Sequence, residues 1–225
     1  RRRSTRGYGL PMIVSAPKVQ FLDKLGTDLT IVNAARVSFE KESELENGFL
    51  KLSDEKLLRY LALHNHTSPF NHAFLQFRVT APLFVARQLV KHKFLVWNEV
   101  SRRYVDTEPD IYIPKVWRKR AANVKQGSSD QPADLGSSSP TNAVLQLLIE
   151  FDALLERGVC PEQARMILPQ NMMTSWYWSG SLGAFTDMVN LRLGEGAQEE
   201  AGDVARLIKT HIEAAFPVAS KYLIK

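Results

Sequence analysis

Residues Phe74–Thr80 alternate strictly, with Leu75, Phe77 and Val79 on one side and Gln76, Arg78 and Thr80 on the other. That period of two specifies a strand with one buried and one solvated face. Ala81-Pro82 follows at once, and proline is tolerated in a first helical turn, where no intrahelical partner awaits its missing N–H. An apolar helix over Leu83–Val90 is therefore expected directly after the strand. Met12–Phe21 reads as a further strand, and Leu29–Ser38 as a helix. Ser53-Asp54 reads as the N-cap region of a helix Glu55–His64 with Leu57, Leu58, Leu61 and Leu63 as its apolar stripe. Val124–Pro140 is poor in apolar residues and rich in Ser, Gly and Pro, so a mobile surface loop at about 124–140 is expected. Ser139-Pro140 caps a helix to about Glu156 that buries Val144, Leu145, Leu147, Leu148 and Phe151. A short helix over Pro161–Ile167 and an extended Pro169–Trp178 follow, then helices over Gly183–Leu191, Gln198–Ala215 and Pro217–Leu223. Helices packed around a small antiparallel sheet make this an α+β chain.

No apolar run reaches the eighteen or so residues of a membrane span, and the N-terminus lacks the apolar core of a signal peptide. A cytoplasmic protein without membrane contact is expected. Arg1, Arg2, Arg3 and Arg6 carry four of the five net positive charges, so the body of the chain is nearly neutral. A polymeric nucleic acid would need a basic face on the fold itself; small anions suit this chain better. Cys160 is the single cysteine, which excludes an intrachain disulfide and a multi-cysteine zinc site. Its place before Pro161 suits a small buried or helix-capping residue.

Chemistry concentrates in Lys91-His92-Lys93-Phe94-Leu95-Val96-Trp97-Asn98-Glu99-Val100-Ser101-Arg102-Arg103-Tyr104. Lysine and arginine supply charge for phosphates, and arginine can fork two hydrogen bonds onto one anion. Asn98 and Glu99 can read a heterocycle edge; His92 and Tyr104 offer flat faces. The ligand that fits is anionic and planar, such as a nucleotide. Lys91 and Lys93 also stand where a helix C-terminus favours cations. The run resembles the signature of flavin-dependent thymidylate synthases, Arg-His-Arg, seven residues, Ser: the spacing to Ser101 is intact, and lysines stand at both flanking positions.

Four more segments are similar to that family: His66-x-Ser68-Pro69-Phe70-x-His72, Arg87-Gln88, Ala164-Arg165-x-x-Leu168-Pro169 and Asn190-Leu191-Arg192. The resemblance implies a thymidylate synthase-complementing protein-like fold. Residues 1–9 are then a basic flexible tip or cloning remnant, and 10–225 a single catalytic domain. It implies reductive methylation of dUMP to dTMP with methylenetetrahydrofolate, FAD and NADPH, in a homotetramer whose active sites are shared. By the same resemblance Ser68, Lys91, His92, Lys93, Glu99 and Asp187 bind FAD. Gln88, Lys91, Glu99, Ser101, Arg102 (through backbone), Arg103, Arg165 and Arg192 bind nucleotide. His66 and Tyr104 belong to the folate region. Arg192 and Ser101 are the catalytic candidates, Arg192 polarising the pyrimidine and Ser101 positioning, since no base stands near it to activate its hydroxyl. His72 reads as structural. No metal is expected, because the histidines at 64, 66 and 72 have no carboxylate or thiol among them and fit no standard zinc spacing. Ser181, Gly183 and Asp187 depart from the family's Asn, Arg and Asn. That leaves open a dUMP hydroxymethylase of the same fold, or an inactive nucleotide- or flavin-binding homologue.

Overall fold

The computed structural model describes residues 13–122 and 127–225; the arginine-rich tip lies outside them. The elements are β1 (Lys18–Leu25), α1 (Asp28–Arg36), α2 (Leu52–Leu63), a 3-10 helix (Ser68–His72), β2 (Phe74–Pro82), α3 (Leu83–Leu89), β3 (Leu95–Glu99), β4 (Arg118–Arg120) and β5 (Ser128–Pro132), followed by α4 (Pro140–Glu156), α5 (Pro161–Ala164), a 3-10 turn (Arg165–Ile167), β6 (Met173–Ser181), α6 (Leu182–Leu193), α7 (Glu199–Ala215) and α8 (Ser220–Leu223). The α+β expectation holds: helices pack on an antiparallel sheet of order β1-β2-β6-β3.

Alternation decides what each sheet face does. Leu75, Phe77, Val79, Trp176 and Trp178 are buried on one face, in one core with Phe185, Val189, Val204 and Ile208 of the long helices. Phe77 and Trp178 both meet Phe185 edge to face, at centroid separations of 5.0 and 5.3 Å, the arrangement that ring quadrupoles favour. The opposite face carries Gln76, Arg78, Thr80, Ser175, Tyr177, Ser179 and Asn98. Tyr177 remains 48% exposed and Val96 72%, so no described element covers that side. A second cluster gathers Ile111, Val144, Leu148, Phe151, Ala164, Leu168 and Met172 under α4.

Several expectations need correction. The first strand runs from Lys18 to Leu25, starting later and ending later than expected, and Met12 lies outside the described residues. Leu145 and Leu147 are each 37% exposed, because α4 buries only the stripe of Val144, Leu148 and Phe151. Leu63 is likewise exposed at the end of α2. The 124–140 stretch carries β5, paired with β4; Arg118 fixes this hairpin through Ser128 and Glu200, a long-range contact that local composition does not announce. Its residues 124–126 lie outside the described ones. Cys160 holds the N-cap position of α5 but is exposed. Helix α2 begins at Leu52 after Lys51, and Asp54 does not cap it. Its carboxylate, fully buried, instead accepts from Arg36 and from Ser43 Oγ. Removing one member of such a pair strands the other, so Asp54→Ala should lower unfolding stability by about 3 kcal/mol in a denaturant titration, the low end for a buried pair because Arg36 keeps some solvent.

Candidate active site

The signature run folds into a turn, a strand and a second turn. Helix α3 ends at Leu89, and Phe94 reverses the chain with φ of 62° while its ring is 85% exposed. A left-handed conformation at a bulky residue costs roughly 1–2 kcal/mol. Strand β3 then pairs with β6, Leu95 opposite Gly180 and Glu99 opposite Trp176. The pairing needs that glycine: a Cβ on Gly180 would lie 2.4 Å from Leu95 Cδ2 and 2.8 Å from the Phe94 carbonyl oxygen. Trp97 stacks on Trp176 at 4.2 Å, and the neighbouring Glu99 accepts from Trp97 Nε1 (3.2 Å) and Thr174 Oγ1 (2.8 Å). Both Glu99 oxygens are thereby oriented.

Arg192 comes from the last turn of α6 and meets the turn after α3. Its Nε–H donates to His92 Nε2 (2.9 Å) and its Nη2 to the Gln88 carbonyl (3.1 Å). A histidine that accepts at Nε2 is neutral with its proton on Nδ1. Burial, and secondly the Arg192 charge, pull the His92 pKa down to about 4. Two of the five guanidinium N–H donors are so used, and the rest are available to a ligand. Lys91 and Lys93 on either side are exposed, and neither forms an ion pair with a described residue.

The remaining nucleotide candidates gather beyond the far end of β3. Arg103 Nε pairs with Glu162 at 2.7 Å, and Arg165 Nε donates to the Glu162 carbonyl at 3.2 Å. Among the described residues Ser101 Oγ accepts only from the Arg103 amide, at 3.4 Å, and none of them stands as a base to activate it. The Arg102 side chain turns away to the Thr107 carbonyl and lines a cleft with Asp110 and Thr174. Tyr104 is 79% exposed. Lys91–Lys93 and Ser101–Tyr104 thus stand at opposite ends of β3, about 17 Å of strand apart.

Ser68, His66 and His72 are exposed on the 3-10 segment and its approach. His66 lies edge-on to Tyr60 at 6.0 Å. Ser181 caps α6 by accepting from the Ala184 amide, and its hydroxyl donates to Asn71 Oδ1 at 2.7 Å. A Cβ on Gly183 would lie 2.6 Å from that same oxygen. The two departures from the family pattern therefore act together: they let Asn71 lock the 66–72 segment onto α6. Asp187 is exposed on α6; partial loss of solvation raises its carboxyl pKa and the Lys225 charge opposes this. Asn71, Thr174, Gln198, Glu200 and Arg118 all support these side chains and were not singled out in the sequence. Their types are ordinary for a helix start or a basic strand, and only the fold brings them together.

The His92 pKa has a checkable sign. Its folded value lies below the ordinary 6.5, so as pH falls from 6.5 towards 4 the unfolded chain takes up a proton that the native chain refuses. Stability should decline through that window and level off beneath it. An NMR titration of the ring should show a midpoint near 4. Arg192→Met should raise this midpoint yet leave it under 6.5, because burial is the larger cause.

The chain is similar to known proteins along most of its length. The family model described as "Thymidylate synthase complementing protein" matches residues 20–218. A flavin-dependent thymidylate synthase of Thermus thermophilus is 37% identical over 202 residues, covering 89% of this chain and 73% of its own. One from Thermotoga neapolitana is 34% identical and covers 92% of each. The crystal structure of a UMP/dUMP methylase, PolB from Streptomyces cacaoi, bound with 5-Br dUMP superposes with a TM-score of 0.82 at 29% identity, over 94% of this chain and 96% of that one. The chain belongs to the thymidylate synthase complementing protein family.

Proposed function

We propose that this chain catalyses the flavin-dependent reductive methylation of dUMP to dTMP, with methylenetetrahydrofolate as carbon donor, FAD as bound cofactor and NADPH as its reductant. The observation that carries this reading is Arg192, fixed by the neutral His92 and the Gln88 carbonyl with free donors to spare. Uracil C5 is a poor nucleophile until negative charge can spread onto the ring oxygens. A guanidinium preset at the pyrimidine edge stabilises that charge without reorganising during the reaction. Ser101, Arg103 and Arg165 would hold the rest of the nucleotide, with Arg102 contributing backbone and Glu99 its oriented carboxylate.

The donor set also fits FAD. Unpaired Lys91 and Lys93 suit its phosphates, the Nδ1–H of His92 and the Ser68 hydroxyl can donate, and Glu99 and Asp187 can accept from hydroxyls. When bound and reduced, the flavin supplies the hydride that completes the methyl group. His66 and Tyr104 offer exposed rings for the folate. A homotetramer with shared sites is supported by the separation of the two residue groups along β3 and by the uncovered polar sheet face. No described helix is long and apolar enough to cross a membrane, and placement in the cytoplasm is part of this reading.

The direct test is the absorbance spectrum of the purified protein, followed by tritium release from 5-tritiated dUMP and mass spectrometry of the product. A bound flavin and a methyl product are expected; a hydroxymethyl product would overturn the reduction step while leaving the nucleotide and folate sites standing. Arg192→Lys should cut turnover roughly 100-fold or more, the scale seen when one charge-stabilising donor is removed, with flavin retained. Cys160→Ala should leave turnover unchanged, because a flavin route needs no thiol nucleophile.

Cofactor titration tests the two lysines. An ammonium is a point charge without the planar fork of a guanidinium. Lys91→Arg with Lys93→Arg should therefore tighten FAD binding by about 1 kcal/mol, followed by flavin fluorescence.

A further inference from the structure

Behind Gln88 runs a chain of hydrogen bonds with a fixed direction. Arg118 Nη2 donates to both oxygens of the buried Glu200, at 2.9 and 3.0 Å, and Arg118 Nε to Ser128 Oγ at 2.7 Å. Gln198 Nε2 donates to Glu200 Oε2 at 3.0 Å, and Gln88 Nε2 donates to Gln198 Oε1. The direction follows from chemistry and does not depend on how the amide atoms were assigned. A guanidinium only donates and a carboxylate beside it only accepts. Gln198 must therefore turn its NH2 to Glu200 and its carbonyl to Gln88. Gln88 must then answer with its NH2, which leaves its own carbonyl oxygen without a described partner.

We propose that Gln198, Glu200 and Arg118 are positioning residues that hold the Gln88 amide with its carbonyl towards the nucleotide, so that the site reads a hydrogen-bond donor, the N3–H of uracil. The proposal rests on the nucleotide reading of Gln88 and Arg192 given above. It deepens that reading, because Arg192 also donates to the Gln88 main chain. The Arg192 guanidinium can only donate and the freed Gln88 amide oxygen would accept, a pair that complements the carbonyl and N–H that lie side by side on a uracil edge. Cytosine presents an unprotonated N3 and an amino group there, and meets like with like on both. A site that leaves such groups unpaired rejects the wrong base strongly. The relay therefore makes α7 and the β4–β5 hairpin determinants of base specificity, although neither carries a residue that faces the base.

The test is calorimetric binding of dUMP and dCMP to the FAD-loaded protein and its variants. Gln198→Met keeps the length of the side chain and the Arg118–Glu200 pair, and frees the Gln88 amide to rotate. It should narrow the dUMP-over-dCMP preference by roughly tenfold, the scale of one hydrogen bond's worth of discrimination, with the loss of turnover appearing in KM for dUMP more than in kcat. Glu200→Gln, which can donate as well as accept, should narrow the preference in the same direction by letting Gln198 reverse. Gln88→Met combined with Gln198→Met should be no worse than Gln88→Met alone, as expected for residues acting through one another. An unchanged preference in Gln198→Met and Glu200→Gln, or strictly additive losses in the double variant, would overturn the relay. A protein that holds FAD yet binds no uridylate would overturn the nucleotide reading itself, a result distinct from either.

Discussion

The candidate site depends on the close approach of β3 to β6 at Gly180. Any side chain there would drive into Leu95 and the Phe94 carbonyl. With glycine in place, Phe94 can hold its left-handed turn, Trp97 can stack on Trp176, and Glu99 can reach Thr174. One pairing therefore orders the whole signature, with the lysines and His92 before the strand and Ser101, Arg103 and Tyr104 after it. Indole stacking anchors the strand from the core side, where two large rings add dispersion to their buried area. The indole N–H of Trp176 has no partner among the described residues, so the packing tolerates one unmet donor, worth about 1–3 kcal/mol.

Electrostatics then separates two kinds of cation. Arg192 is half-buried, held by a neutral imidazole and a carbonyl, and its orientation is set before any ligand arrives. Preset donors of this kind stabilise developing charge without reorganisation. Lys91 and Lys93 are exposed and unpaired by any described residue, which suits phosphates that bring their own solvation and need charge more than geometry. His92 mediates between them: low enough in pKa to stay neutral, it accepts from Arg192 without adding a third charge to the cluster.

The departures at Ser181 and Gly183 gain a structural meaning. A serine that caps α6 and grips Asn71, beside a glycine that leaves room for it, makes a contact between the 66–72 segment and α6. The same contact ties Asn71 of the 66–72 segment to the start of that helix. Val96 and Tyr177 are exposed on a sheet face that no described element covers, the surface on which the proposed assembly with shared sites would close.

By itself the sequence determined the local elements and the residue types of the site. The alternation in Phe74–Thr80 and the proline after it gave β2 and α3, and the spacing from His92 to Ser101, with Arg165 and Arg192 in order, pointed to the family. These signals are short-range: a period of two, a cap, a motif at fixed offsets. Amphipathic patterning was less exact, as Leu145 and Leu147 show, because a helix in a mixed environment also carries apolar residues on its solvent side. Only the tertiary structure decided that Arg192 would bond His92, that Asn71 would meet Ser181, and that Arg118 would reach Glu200 across 82 positions of chain. Each is a hydrogen bond between residues far apart in sequence, whose types are common on any surface. Their partners are chosen by where β6 and β3 bring the chain, and no local pattern encodes that choice.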